Sequence, residues 1–215
     1  KALTATATAQ NKTYDANKMA SGTTLSLSGF VNTETTTATV DSATFNTKDA
    51  KDATTVTVNS LSLVNGANGD LASNYSLSAG QTASASITPK ALTATATAQN
   101  KTYDANNIAS GTTLFLSGFV NTETTTATVV NATFNTKNVG NANTVTVNSL
   151  IHSDGANGGL VSNYSLSAGQ TASASIMPLV LSIAPQSMPT VQPSKGNTTA
   201  QSNSESEEEE ETDEI

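Results

Sequence analysis

A tyrosine hydroxyl followed directly by a carboxylate occurs twice, at Tyr14-Asp15 and at Tyr103-Asp104. Such a pair could hold a polar ligand, the hydroxyl donating and the carboxylate accepting. The competing reading is a turn in which the Asp caps backbone N–H groups and the ring packs with its hydroxyl satisfied. Isolated pairs of this kind are common in turns, so the turn is the expectation. His152 is the sole histidine, and Leu63 stands 89 residues before it. A metal ligand or general base needs an orienting partner, and the sequence offers no second imidazole. An edge or loop position is expected for it.

Other residue patterns invite chemistry and are read in the same way. The stretches Asn65–Asp70 and Asp154–Gly159 resemble calcium loops, yet each carries one Asp, and at different places. Calcium takes six to eight oxygens, several of them carboxylates, so plain turns are expected. Lys12 and Lys101 lie near Asn and Asp residues and could form isopeptide crosslinks only beside a buried acid. Six Asn-X-Ser/Thr sequons, at Asn11, Asn74, Asn100, Asn131, Asn163 and Asn197, are candidate glycosylation sites. No catalytic, cofactor-binding or metal-binding residue is assigned, and no cofactor is expected.

Composition excludes whole classes of function. Among 215 residues there are 38 Thr, 26 Ser and 22 Asn, with no Cys, Trp or Arg. Disulfides, thiolate zinc sites and thiol nucleophiles are therefore absent. Net charge is -8, and without Arg nucleic-acid binding is not expected. No apolar run approaches the ~20 residues that span a bilayer, so membrane insertion of this segment is not expected. Eight of the 17 acidic residues lie between Glu205 and Glu214; the rest of the chain balances nine acids against nine Lys. An enzyme is not expected.

The elements that position these residues follow from self-similarity. Residues 1–89 and 90–178 are identical at 72 of 89 positions. The differences cluster at 49–54 and 62–65 and in their copies at 138–143 and 151–154, the stretches expected to be loops or exposed edges. Within a copy the period is two: Leu3, Ala5, Ala7 and Ala9 alternate with Thr4, Thr6 and Thr8. Leu25, Leu27, Val56, Val58, Tyr75, Leu77, Ala83, Ala85 and Ile87 repeat the signal. No window reads as an amphipathic helix. The expected core of a copy is Leu3, Leu25, Leu27, Phe30, Val40, Phe45, Val56, Val58, Leu61, Leu71, Tyr75, Leu77 and Ile87. The pattern predicts an all-β chain of two tandem two-sheet sandwiches (Ig-like), with a β-grasp-like sheet as the alternative. Thr88-Pro89 leads straight into Lys90, a joint stiffer than a Gly/Ser linker, which predicts an end-to-end, monomeric rod. Residues 179–185 read as the first strand of a third copy left unfinished, and 186–215 as a disordered Pro/Ser/Thr linker and acidic tail. Opening at Lys1, the sequence is expected to be a piece of a longer chain.

Lys12-Thr13-Tyr14-Asp15-Ala16-Asn17 and Lys101-Thr102-Tyr103-Asp104-Ala105-Asn106 resemble the YDG-type repeat of large filamentous-haemagglutinin-like exoproteins of Gram-negative bacteria. Ser28-Gly29-Phe30-Val31, Ser73-Asn74-Tyr75-Ser76-Leu77 and Ala85-Ser86-Ile87-Thr88-Pro89-Lys90 extend the resemblance. Ala16 and Ala105 stand where the family name implies Gly. The resemblance implies a cell-surface or secreted, outer-membrane-associated adhesin, exported by two-partner secretion. It further implies that repeats of this kind are stalk units projecting a binding region toward host glycans or surface proteins. The alternative is that the repeats themselves bind carbohydrate or protein.

Overall fold

The structure is a computed structural model and describes residues 1–67 and 70–182. Lys1–Leu179 form one compact unit. Repeat 1 contains β1 (Thr4–Thr8), β2 (Lys12–Thr13), β3 (Thr24–Ser28), β4 (Thr36–Phe45), β5 (Thr55–Asn65), β6 (Thr82–Ser84) and β7 (Ile87–Thr88). β8 (Lys90–Ala91) opens repeat 2. There follow β9 (Thr93–Thr97), β10 (Lys101–Thr102), β11 (Thr113–Ser117), β12 (Thr125–Phe134), β13 (Thr144–Asp154), β14 (Tyr164–Ser165), β15 (Thr171–Ser173) and β16 (Ile176–Met177). The only helical elements among the described residues are short 3-10 turns, such as Ala72–Asn74 and Val161–Asn163. The chain is all-β, built from two sheet-rich modules.

Each module repeats one wiring. β1 pairs antiparallel with β3, Thr4 opposite Ser28 and Thr8 opposite Thr24. The alternation places Thr4, Thr6 and Thr8 in solvent and Ala5 and Ala7 inward. β4 and β5 form a long antiparallel hairpin, from Thr36 opposite Asn65 to Phe45 opposite Val56, to which β6 adds a third strand. The register shifts beside Ser42, a bulge that bends the hairpin. β2 lies parallel to β7, which ties the start of the module to its end. β9–β13, β15 and β16 copy these pairings.

Phe45, Val56, Val58 and Ile87 are buried in repeat 1, and Phe134, Val145, Val147 and Ile176 in repeat 2. Most of the core expected from the sequence is buried or half-buried. Leu71 is a correction: it is 48% exposed, because it sits at the entry to a 3-10 turn rather than on a strand. A second difference concerns the border between modules. The apolar cluster of repeat 1 includes Tyr164 and is flanked by Leu92, Phe119 and Val120, all from repeat 2. The core of repeat 1 therefore extends across the junction, while Phe134, Val145, Val147 and Ile176 form a separate cluster in repeat 2. In the segment 179–185, Leu179–Ser182 form no strand and have no pairing partner among the described residues. Residues 183–185, the stretch 186–215 with its acidic run and Asn197, and Asn68-Gly69 lie outside the described residues.

Candidate functional site

β4 and β12 each carry functional side chains beyond both ends. With ten residues at about 3.3 Å each, those ends are roughly 30 Å apart. Before β4 lie Phe30 and Glu34, joined by Asn74 and Tyr75; this end is the head. After β4 lie Lys48, Asp49 and Ala50, joined by Tyr14; this end is the tail. The tail of repeat 1 meets the head of repeat 2.

Glu123 is the centre of that joint and is buried. The Tyr14 hydroxyl donates to its Oε1 at 2.8 Å, and the Tyr164 hydroxyl donates to its Oε2 at 2.7 Å. The two rings meet edge to face at 5.5 Å, and Phe119 packs on Tyr164 at 5.4 Å. The Val120 N–H donates to the Tyr164 hydroxyl, and the Lys48 ammonium to the Tyr14 hydroxyl at 3.3 Å. Burial, followed by the hydrogen bond to Glu123, pushes the Tyr164 phenol up to about 12 and moves that of Tyr14 in the same direction. Beside them Asn163, fully buried, accepts from the Ala50 N–H at 2.8 Å and donates to Asp49 Oδ1 at 3.0 Å. The Asn163 bond is the chief reason that the Asp49 carboxyl lies below its ordinary range.

Stretch 49–54, expected to be a loop or exposed edge, is thus partly a docking element: Asp49 and Ala50 are covered by repeat 2. In its copy at 138–143, Asn138 and Val139 stand at these positions and are exposed, while Ala142, like Ala53, is buried in its own repeat. Among the sequons, Asn163 is a correction, since its side chain is enclosed in the joint and no glycan can reach it there. Asn11 and Asn100 are exposed, but each side-chain oxygen accepts a backbone N–H, from Ser86 and Ser175. Asn74 and Asn131 are exposed.

The repeated Lys-Thr-Tyr-Asp-Ala-Asn motif divides into two tasks. Tyr14 serves the joint, while the other polar residues close a turn. The Lys12 ammonium donates to Asp15 Oδ1 at 2.7 Å and to Asn17 Oδ1 at 2.8 Å, lying over the Phe45 ring. Asp15 accepts the Asn17 N–H, and Asn17 Oδ1 accepts the Met19 N–H. Lys101, Asp104 and Asn106 make the same clamp. Burial alone would raise the Asp15 carboxyl, but Lys12 and the turn N–H outweigh it and hold it below its ordinary value. In repeat 2, Lys101 itself is the main cause of the same lowering at Asp104. Asp15 and Asp104 each accept a backbone N–H two residues on within this turn. Ala16 and Ala105 adopt φ of 64° and 66°, so the tight left-handed turn forms even without Gly. Tyr103 is only half-buried, and its hydroxyl has no hydrogen-bond partner among the described residues.

His152 lies on β13, and its Nε2 is 2.7 Å from the Thr125 hydroxyl. In repeat 1 Leu63 replaces it, and the matching Thr36 hydroxyl is buried without a partner. The histidine is therefore a partner for a buried hydroxyl. Burial lowers its pKa from the ordinary 6.5. In the Asp/Asn/Gly stretches, Asp70 accepts the Thr35 N–H and Asp154 the Val161 N–H. A Cβ on Gly66 would collide with the Thr35 carbonyl oxygen, which explains a residue without a side chain there. Among the described residues no three His, Asp or Glu side chains gather into a metal-sized cluster, and no helix is long and apolar enough to cross a membrane.

Two modules of one β wiring, joined by a dedicated interface, define a tandem β-repeat protein. Residues 1–84 and 88–173 each match the YDG domain, and the chain belongs to that family. No curated protein and no solved structure matches it.

Proposed function

We propose that the chain is a structural spacer in a Gram-negative cell-surface or secreted adhesin, whose repeats hold a separate binding region away from the cell. The observation that carries this reading is the joint. A spacer must transmit position along its length, and a junction with buried hydrogen bonds to a glutamate does so better than a flexible linker. The head and tail at opposite ends of each long hairpin support a linear succession of repeats. Two packed layers in each repeat, β1–β3 facing β4–β5–β6, are the arrangement we favour, with Leu3, Val56 and Val58 between them. Export by two-partner secretion and outer-membrane association belong to the same proposal and rest on the resemblance to haemagglutinin-like exoproteins.

A second reading, in which the repeats themselves bind a glycan or protein, has its own support. Phe115, 73% exposed, stands where repeat 1 has Ser26. Val130 and Ile151, also exposed, replace Asp41 and Ser62, a pair hydrogen-bonded at 3.2 Å in repeat 1. Repeat 2 thus presents apolar side chains where repeat 1 is polar. The purified chain should be applied to host cells, matrix proteins and a glycan panel. The spacer reading expects no saturable binding. Saturable binding lost in the triple variant Phe115→Ser, Val130→Asp, Ile151→Ser would replace it with the second.

A further inference from the structure

We propose that the head of repeat 1 is a docking surface for the tail of another YDG repeat, one whose loop carries an aspartate and a small residue as Asp49 and Ala50 do. This pairing needs only the joint described above and stands whether or not the parent protein adheres to anything. Phe30, Glu34, Asn74 and Tyr75 are the same residues as Phe119, Glu123, Asn163 and Tyr164. They are already assembled: the Tyr75 hydroxyl donates to Glu34 Oε2 at 2.6 Å, the Val31 N–H donates to that hydroxyl, and Phe30 packs on the ring at 5.4 Å. What differs is the covering. Glu34 is half-buried and Asn74 exposed, whereas Glu123 and Asn163 are buried. Among the described residues Glu34 Oε1 and the Asn74 amide have no partners, and these are the atoms that in the joint take Tyr14, Ala50 and Asp49.

The chemistry of the occupant follows from those atoms. It must donate a hydroxyl to Glu34, accept from the Asn74 amide, and offer a backbone N–H beside a side chain small enough to be buried. The tail of repeat 2 retains Tyr103 and Lys137 but has Asn138 for the acid and Val139, 40% exposed, for Ala50. It lacks the aspartate and adds bulk, so it is a poorer occupant than the tail of repeat 1.

The test uses the full chain with Asn138→Asp and Val139→Ala, which gives repeat 2 the tail chemistry of repeat 1. A joint that is intramolecular in the chain is weak between separate molecules, so sedimentation should extend to about 1 mM. The expected result is concentration-dependent head-to-tail association, weakened about tenfold or more by adding Tyr103→Phe, which removes the hydroxyl meant for Glu34. Addition of Glu34→Gln should weaken it as well. A variant that stays monomeric throughout would overturn the proposal. So would association indifferent to both added substitutions, which would place the contact elsewhere.

Discussion

Tyr14 and Glu123, 109 positions apart in the chain, share a buried hydrogen bond of 2.8 Å that joins the two repeats. The same carboxylate takes the Tyr164 hydroxyl, so its removal strands two buried donors together. Glu34, the matching residue of repeat 1, serves a single tyrosine and is half-buried. Glu123→Ala should therefore lower unfolding free energy by about 2–4 kcal/mol, and Glu34→Ala by about 1 kcal/mol. Urea denaturation of both variants checks the difference. Equal losses would mean that the joint adds nothing to the local hydrogen bond.

The joint should also respond to alkali. Tyr164 has its pKa raised to about 12 from an ordinary 10.0, and Tyr14 is raised as well. Between those two values the unfolded chain releases protons that the folded one retains, so stability falls as pH rises through that window. Below pH 10 this contribution is fully present. Tyr14→Phe removes one titrating group and should flatten the slope, as read from denaturation midpoints between pH 9 and pH 12.

His152 gives the opposite pH sign. Its folded pKa is depressed, so as pH falls below 6.5 the unfolded chain takes up the proton first and stability declines. His152→Leu should abolish that decline. At neutral pH it should cost about 1–2 kcal/mol, because the Thr125 hydroxyl loses its partner. Leu63→His would supply the missing partner for Thr36 in repeat 1. Thermal melts at pH 5 and pH 8 separate these effects.

Ala16 and Ala105 hold positive φ at a cost that glycine does not bear. Glycine gives back part of this gain through the freedom of its unfolded state. Each Ala→Gly substitution should stabilise by about 0.5 kcal/mol, an outcome checked by the denaturation midpoint. A loss of stability would show that the turn carries no strain.

The strands were legible in the sequence because solvent and core alternate along them: Thr4, Thr6 and Thr8 against Ala5 and Ala7. The turn role of Asp15 was legible too, since its partners lie within five residues. The joint was not. Asn74 and Asn163 both stand in the sequence Ser-Asn-Tyr-Ser-Leu, yet one is exposed and the other fully buried. That difference comes from Asp49 and Ala50, more than a hundred residues away, which no local pattern encodes. Variability at 49–54 points to a loop or exposed edge. At Asp49 and Ala50 it separates a covered tail from an exposed one. Glu34 and Glu123, acidic in both copies of a Thr-rich stretch, were a sequence signal of the contact that periodicity alone does not reveal.

The spacer reading requires Glu123 to hold the two repeats rigidly together, and a distance distribution across the joint measures this. The chain has no cysteine, so Ser60→Cys and Ser149→Cys, both exposed on the long hairpins, accept spin labels without competition. Pulsed dipolar spectroscopy should give one narrow distribution, and adding Glu123→Ala should broaden it. A broad distribution in the otherwise unaltered chain, or a narrow one indifferent to Glu123→Ala, would overturn the role given to Glu123.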